Sequence, residues 1–346
     1  MGIPSIQQQI YRQARAHQAQ LAVPEDALGK LSEIACWIAA RQGKAMPDDL
    51  RPAIVLFASD HAMGSNVKGE GQDGSSAEQV RYVAEARAAV NLLAAGKADI
   101  QVVDIGVNGD LTGVEGVIHA RIAASCAHIA STSAMSQEDY WEAVGIGEDL
   151  ANKAVAAGAN LLVAGDIGQG NHIAAAAVVC HLAGLAPMDV LGNDAGSFER
   201  LGQGDIIVLE EALARAQDTP SHDILRELGG YEIAAMAGFY RASARHGVPV
   251  LLDGFVSVAA ALAAAAWDVR IAGWMMASHV TEYPGHREAL DELGLEPLVN
   301  LNIAMGQGVG AAVVLPLLQS AIELHRGLPL RMTQDDGKSL GAKHAG

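Results

Sequence analysis

Five short apolar runs recur along the chain: IVLFASDH (54–61), IQVVDIGV (100–107), NLLVAGDIGQGN (160–171), VPVLLDGF (248–255) and VRIAGWMMASH (269–279). Each is too short for a typical helix and rich in Val, Ile or Leu. Uninterrupted runs of this kind predict strands buried on both faces, the signature of a parallel sheet. Segments with helical spacing lie between them. Ser75–Ser76–Ala77–Glu78 reads as a capping box in which Ser75 accepts the Glu78 amide. Ser136–Gln137–Glu138–Asp139 opens a second helix in similar style. Ser221 to Leu228 reads as a third, ended by Gly229–Gly230. Strands alternating with helices imply crossover units and a doubly wound α/β fold.

The chain ends differ. Residues 3–20 read as a polar, Gln-rich helix, 24–43 as an amphipathic one and 309–326 as a mostly apolar one. None has strand character. The expected organisation is a large α/β ligand-binding domain over 45–305 and a small helical subdomain from 1–44 and 306–330. The tail over 331–346 (RMTQDDGKSLGAKHAG) is expected to be disordered.

The polar residues that end the apolar runs carry the functional signal. They are Asp60–His61, Asp104, Asp166, Asp253 and Ser278–His279. In open α/β sheets the ligand crevice lies beyond the carboxyl ends of the strands, where these groups would converge. A single aspartate there also serves as a helix cap. For any one of them capping and ligand contact both stand, and the set points to a ligand.

Two glycine-rich loops sharpen this. Gly165–Asp166–Ile167–Gly168–Gln169–Gly170–Asn171 precedes an alanine-rich helix from His172 to Leu182. Gly168 and Gly170 let the backbone approach a ligand, and the helix start offers amides and a partial positive charge. A phosphate or carboxylate fits there, as does a tight turn with no ligand. The spacing is neither a Walker loop nor a dinucleotide fingerprint. Gly306–Gln307–Gly308 again leads into an apolar helix and exposes a polar side chain, although a purely structural loop has the same pattern.

Composition narrows the partners. The 346-residue chain carries a formal charge of −17. That opposes nucleic acid, whose phosphates need clustered Lys and Arg, and an anionic membrane surface. Cys36, Cys126 and Cys180 are far apart, which favours buried thiols over a disulfide or metal site. His61, His172, His279 and His286 lie in or near the loops without metal-ligand spacing, so no metal is expected, and no cofactor motif is present. There is no G-x-S-x-G elbow. The N-terminus lacks an apolar signal core, and the longest apolar stretch, from Val256 to Trp267, is too short to span a bilayer. A cytoplasmic protein is expected.

Several ordered segments together resemble the nicotinate-nucleotide–dimethylbenzimidazole phosphoribosyltransferase family, which makes the lower-ligand nucleotide of cobalamin. VLFASDHAM (55–63) is similar to its Phe-Ala-x-Asp-His-Gly strand end, VVDIGV (102–107) to its Val-Val-Asp-x-Gly-Val, and AGDIGQGNHIAAAA (164–177) to its Gly-Glu-Met-Gly-Ile-Gly-Asn-Thr-Thr loop. ALGKLSEIACWIAARQG (27–43), LGGYEIAAMAGFYRASARHGVPVLLDGFVSVAAAL (228–262) and SHVTEYPGHREALDELGLEPLVNLNIAMGQGVGAAVVLPLL (278–318) extend the match. The resemblance implies a homodimer with a Rossmann-like large domain and a helical small domain. It also implies transfer of phosphoribose from nicotinate mononucleotide to an azole nitrogen, with inversion at the anomeric carbon. Its substrates are then a small nucleotide and an aromatic acceptor, azole or phenolic. Asp60, His61, Asp104, Gly165, Gly168, Gly170, Asn171, Asp253, Ser278, His279, Gly306 and Gly308 become substrate-binding candidates. A carboxylate near the azole serves as base.

The departures from the family fall on the chemistry. The family's Gly-Glu-Gly glutamate, its expected base, is here Gln307, an amide that takes no proton at neutral pH. The glutamate of the Gly-Glu-Met-Gly loop is here Asp166. The loop's Asn-Thr becomes Asn171–His172, which leaves Asp166 or His172 to act as base. The family's phosphate-holding lysine falls near Asp205, and aspartate in its place would repel a phosphate. The stretch GSNVKGEGQDGSSAEQ (64–79) replaces an aromatic-proline segment, and Ala86–Arg87 replaces Gly-Gly. Two alternatives follow: a non-catalytic or partner-dependent paralogue, paired as a heteromer, and a different nucleotide- or sugar-handling enzyme on the same scaffold.

Overall fold

The structure, a computed structural model, describes residues 2–24, 26–62, 75–192 and 203–331. Among these, six strands form one sheet: β1 (Pro52–Ser59), β2 (Asp99–Gly106), β3 (Val117–His119), β4 (Leu161–Ile167), β5 (Val250–Leu252) and β6 (Met275–Ala277). Their order is β3-β2-β1-β4-β5-β6 and every pairing is parallel. This is the expected Rossmann-like, doubly wound arrangement. The apolar runs are strands because both faces are covered: β4 is buried along its whole length. The strand order reverses between β1 and β4, which opens a crevice at their carboxyl ends. The register brings the end residues level there, with Phe57 opposite Asp166 and Ala58 opposite Asp104.

Three local expectations are corrected. β3 falls outside the five apolar runs. It is a three-residue edge strand, too short to show a period. The run from residue 269 is strand only at its end; Val269–Trp274 is a 3-10 helix whose start Asp268 caps by accepting the Arg270 amide. The capping box at Ser75 does not form. Ser76 precedes the Ala77–Ala84 helix, and the Ser75 hydroxyl accepts the Ala77 amide instead. Ser136 does cap Gln137–Ala156, accepting the Asp139 amide at 3.1 Å.

Two alanine-rich helices, Asn171–Ala183 and Phe255–Trp267, are buried along most of their length. Both begin beside the carboxyl end of a strand, after β4 and β5, so their first turns border the crevice. The chain divides into two compact units, one over residues 2–4 and 51–315 and the other over 5–50 and 316–331. Gly306–Leu315, expected with the helical subdomain, group with the sheet, because Asp253 holds the main chain there. The second unit contains the helices Gln8–Gln18 and Lys30–Gln42, and buried His325 donates from Nε2 to the Ala45 carbonyl at 2.9 Å. From residue 332 the expected disordered tail lies outside the described residues, as do residues 63–74 of the divergent loop. No helix among the described residues is long and apolar enough to cross a membrane.

Candidate active site

Three of the strand-end aspartates, expected to meet substrate, serve the main chain. Asp60, buried after β1, accepts the amides of Ser76 at 3.1 Å, Asn108 at 2.7 Å and Gln169 at 3.0 Å. It ties three loops to the sheet end. Asp104 accepts the Val107 amide and the Arg121 guanidinium, both at 3.0 Å from Nε or N to oxygen. Asp253 accepts the amides of Gly308 and Ala311, each at 2.9 Å, and so caps the Val309–Gly327 helix from a distant strand. Burial raises the Asp253 carboxyl, while His279 and those amides pull it back. A buried carboxylate whose lone pairs are taken by backbone donors has little left to offer a ligand. Spacing along the chain could not reveal which amides would arrive.

Asp166 is different. It sits at the end of β4, beside the switch point, and keeps about 7% of its surface exposed. Asn171 Nδ2 donates to its Oδ2 at 2.8 Å and orients the carboxyl. Burial, then the charges of Asp253 and Glu232, push its pKa up to about 7 against the lowering effect of Asn171. The Gly306 backbone lies directly over it: a Cβ on Gly306 would stand 3.2 Å from Asp166 Oδ2. The next residue, Gln307, donates its amide to the Asp166 carbonyl at 3.1 Å.

The Gly306–Gln307–Gly308 turn is held tightly. A Cβ at Gly165 would stand 2.6 Å from the Gly308 nitrogen, so glycine at 165 is what lets the turn rest on β4. Gly168 likewise lies against the Ser59 carbonyl, 2.1 Å from where its Cβ would be. Gln307 adopts φ 64°, a left-handed conformation that costs a non-glycine residue about 1 kcal/mol. The turn therefore holds a half-buried glutamine, its main chain bonded to Asp166, at a conformational cost. Such outliers gather at functional sites.

The other candidates divide. Ser278 and His279 are buried and share a hydrogen bond of 2.8 Å between Oγ and Nδ1. The His279 ring packs under the last helix at Gly310, where a Cβ would stand 2.0 Å from it. They belong to the Asp253 anchor. His172 is buried in the first turn of Asn171–Ala183, whose N-cap is Gly170 at φ 78°. Asp205 lies in the first turn of the Gln203–Arg215 helix. Ala86 adopts φ 57°, a conformation natural to glycine. His61 Nε2 and Glu232 Oε1 are 2.7 Å apart and both side chains are inaccessible.

Glu232, Cys126 and Arg121 were missed as site neighbours. Glu232 had a usable signal: it is a lone acid in the apolar stretch YEIAAMAGFY, and carboxylates are seldom fully buried without a partner.

Fold and crevice define a Rossmann-like α/β protein with a buried carboxyl group, pushed up to about 7, under a glycine-flanked turn at its strand ends. A family model described as Phosphoribosyltransferase matches residues 3–331. A nicotinate-nucleotide–dimethylbenzimidazole phosphoribosyltransferase from Chromobacterium violaceum is 46% identical over 91% of this chain and 92% of its own length. One from Thermus thermophilus is 36% identical over 96% of this chain and 99% of its own. The crystal structure of a nicotinate-nucleotide–dimethylbenzimidazole phosphoribosyltransferase from Thermus thermophilus superposes with a TM-score of 0.84 at 34% identity, covering 95% of this chain and 98% of the other. The chain belongs to the nicotinate-nucleotide–dimethylbenzimidazole phosphoribosyltransferase family.

Proposed function

We propose that this protein transfers phosphoribose from nicotinate mononucleotide to an aromatic nitrogen acceptor of the dimethylbenzimidazole type, with Asp166 as the base. The observation that carries the reading is the Asp166 carboxyl, pushed up to about 7 and fixed by Asn171 beneath the Gly306–Gln307 turn. A base with a pKa near the working pH is both available and strong enough to take the azole proton. In the reaction the bond from the anomeric carbon to the nicotinate nitrogen breaks, and a bond from that carbon to the azole nitrogen forms. The azole N–H proton passes to Asp166, and nicotinate leaves with its bonding electron pair.

The same carboxylate faces the positive charge that develops on the sugar as nicotinate departs. Gln307, where the family resemblance expects the base, keeps the shape of a glutamate and offers one acceptor and two donor hydrogens. It aligns the acceptor ring rather than deprotonating it. The start of the Asn171–Ala183 helix, with a glycine at its N-cap and its partial positive charge, suits the nucleotide phosphate. The protein acts as a homodimer in the cytoplasm and needs no membrane or nucleic acid.

The test is incubation of purified protein with nicotinate mononucleotide and a panel of azoles and phenols, with products read by mass spectrometry. Release of nicotinate coupled to acceptor nucleotide supports the reading, and Asp166→Asn should lower turnover by roughly 10²–10⁴-fold. Absence of product across the panel from folded protein would sink it. Gln307 favours one second reading, a partner-dependent paralogue; co-purification of a second chain that restores turnover would establish that instead.

A further inference from the structure

His61, Cys126 and Glu232 meet in the interior beneath the crevice floor. Their ligand atoms all lie within 4.8 Å of one another, and all three residues are buried. They come from three separate segments: the residue after Asp60, the loop after β3 and the first turn of the Tyr231–His246 helix. Main-chain bonds lock these segments. His61 donates its amide to the Gln169 carbonyl, and Ala62 donates to the Cys126 carbonyl at 3.1 Å.

The cluster is not fully satisfied. Among the described residues, His61 Nδ1 and Glu232 Oε2 are buried without a hydrogen-bond partner. Gly230 faces them: a Cβ there would stand 2.8 Å from both Glu232 Oε2 and His61 Nε2. The missing side chain leaves Glu232 Oε2 and the His61 ring edge at Nε2 beside the same space. The Cys126 sulfur accepts the Tyr231 amide at 3.2 Å, and the Ser59 hydroxyl lies 3.6 Å from it. The Tyr231 amide directed at the sulfur favours a thiolate.

We propose that His61, Cys126 and Glu232 form a binding site for one zinc-like divalent cation. The donor set of one imidazole, one thiolate and one carboxylate is of zinc type. The charges balance, since a dication meets one thiolate and one carboxylate. Ligand atoms around tetrahedral zinc stand roughly 3–4 Å apart, so small side-chain turns suffice. Binding replaces the Cys126 S–H bond by a sulfur–metal bond and releases that proton to solvent. Burial and the Glu232 charge raise the Cys126 thiol. The cation would staple β1, the Cys126 loop and the Tyr231–His246 helix under the Asp60 collar.

The test uses the full-length protein stripped of metal and titrated with Co²⁺, then Zn²⁺. The expected result is a thiolate-to-cobalt charge-transfer band that saturates at one Co²⁺ per chain and is bleached by Zn²⁺. Cys126→Ser should abolish the band, and His61→Gln and Glu232→Gln should weaken binding at least tenfold, with circular dichroism confirming the fold of each. Metal binding should also raise the melting temperature of the wild type and release protons into a weakly buffered solution. No band in wild-type protein, or a band that survives Cys126→Ser, overturns the proposal.

Discussion

The Asp166 carbonyl accepts the Gln307 amide at 3.1 Å, so the turn that carries the glutamine is fastened to the residue that carries the carboxyl. One group is poised to take a proton and the other can only share hydrogen bonds. Asp166, raised to about 7, must be ionised to act as base, so kcat/KM should climb with pH and level off above about 7. In Gln307→Glu the new carboxylate is half-exposed and has an ordinary pKa of about 4.3. The acid limb should therefore move to lower pH, with turnover at pH 6 exceeding that of wild type. pH–rate profiles of both proteins check this. An unmoved limb in Gln307→Glu would mean that the side chain at 307 does not reach the acceptor.

Gly165 should be sensitive for a reason of space. Its Cβ would stand 2.6 Å from the Gly308 nitrogen and 2.7 Å from a Leu56 methyl. Gly165→Ala should push the Gly306–Gln307–Gly308 turn away from Asp166 and lower kcat by about 10²-fold, the usual cost of an ångström-scale misplacement. Gly145→Ala is the control. That glycine lies in the Gln137–Ala156 helix with nothing within 4 Å of its Cβ position. Alanine there should leave kcat unchanged and stabilise the helix by about 1 kcal/mol. Steady-state kinetics and urea unfolding of the two variants separate the effects.

The sheet was legible because burial on both faces writes itself as Val, Ile and Leu in unbroken runs. β3, at the edge and three residues long, leaves no such trace. The strand-end aspartates were legible as a set, but their duties were not. Asp60 and Asp166 both follow an apolar run, yet one is consumed by amides from Ser76, Asn108 and Gln169, and the other keeps a face toward the crevice. Those amides come from distant loops, so no local pattern distinguishes the two acids. The resemblance marked Asp166 and Gln307, whereas their mutual main-chain bond needed three dimensions. His61, Cys126 and Glu232 share no spacing that a sequence motif could hold, and only the fold brings them together.

Asp60→Asn tests the division of labour among the acids. The asparagine has one acceptor oxygen, and its amide hydrogens would face the main-chain donors that the carboxylate now satisfies. Each donor left unpaired in the interior costs about 1–3 kcal/mol. The urea midpoint should fall clearly and KM should rise as the three loops loosen. If Asp60 instead contacted substrate directly, KM would rise with the midpoint unchanged.

Asp166 should also reveal itself in stability. Its folded pKa of about 7 lies above the unfolded value of about 3.9. Between those values the folded state keeps a proton that the unfolded state has released. Stability contributed by this group is therefore full below pH 4, declines as pH rises and levels off above about 7. From pH 5 to pH 8 roughly two pH units of that penalty accumulate, or roughly 3 kcal/mol. Asparagine cannot ionise, and its oxygen can still accept from Asn171 Nδ2, so Asp166→Asn removes the penalty while keeping the contact. This variant should accordingly be more resistant to urea than wild type, and its advantage should be larger at pH 8 than at pH 5. Equal margins at the two pH values would mean that the carboxyl is already ionised at pH 5. It would then lack the near-neutral poise that a base at this position needs.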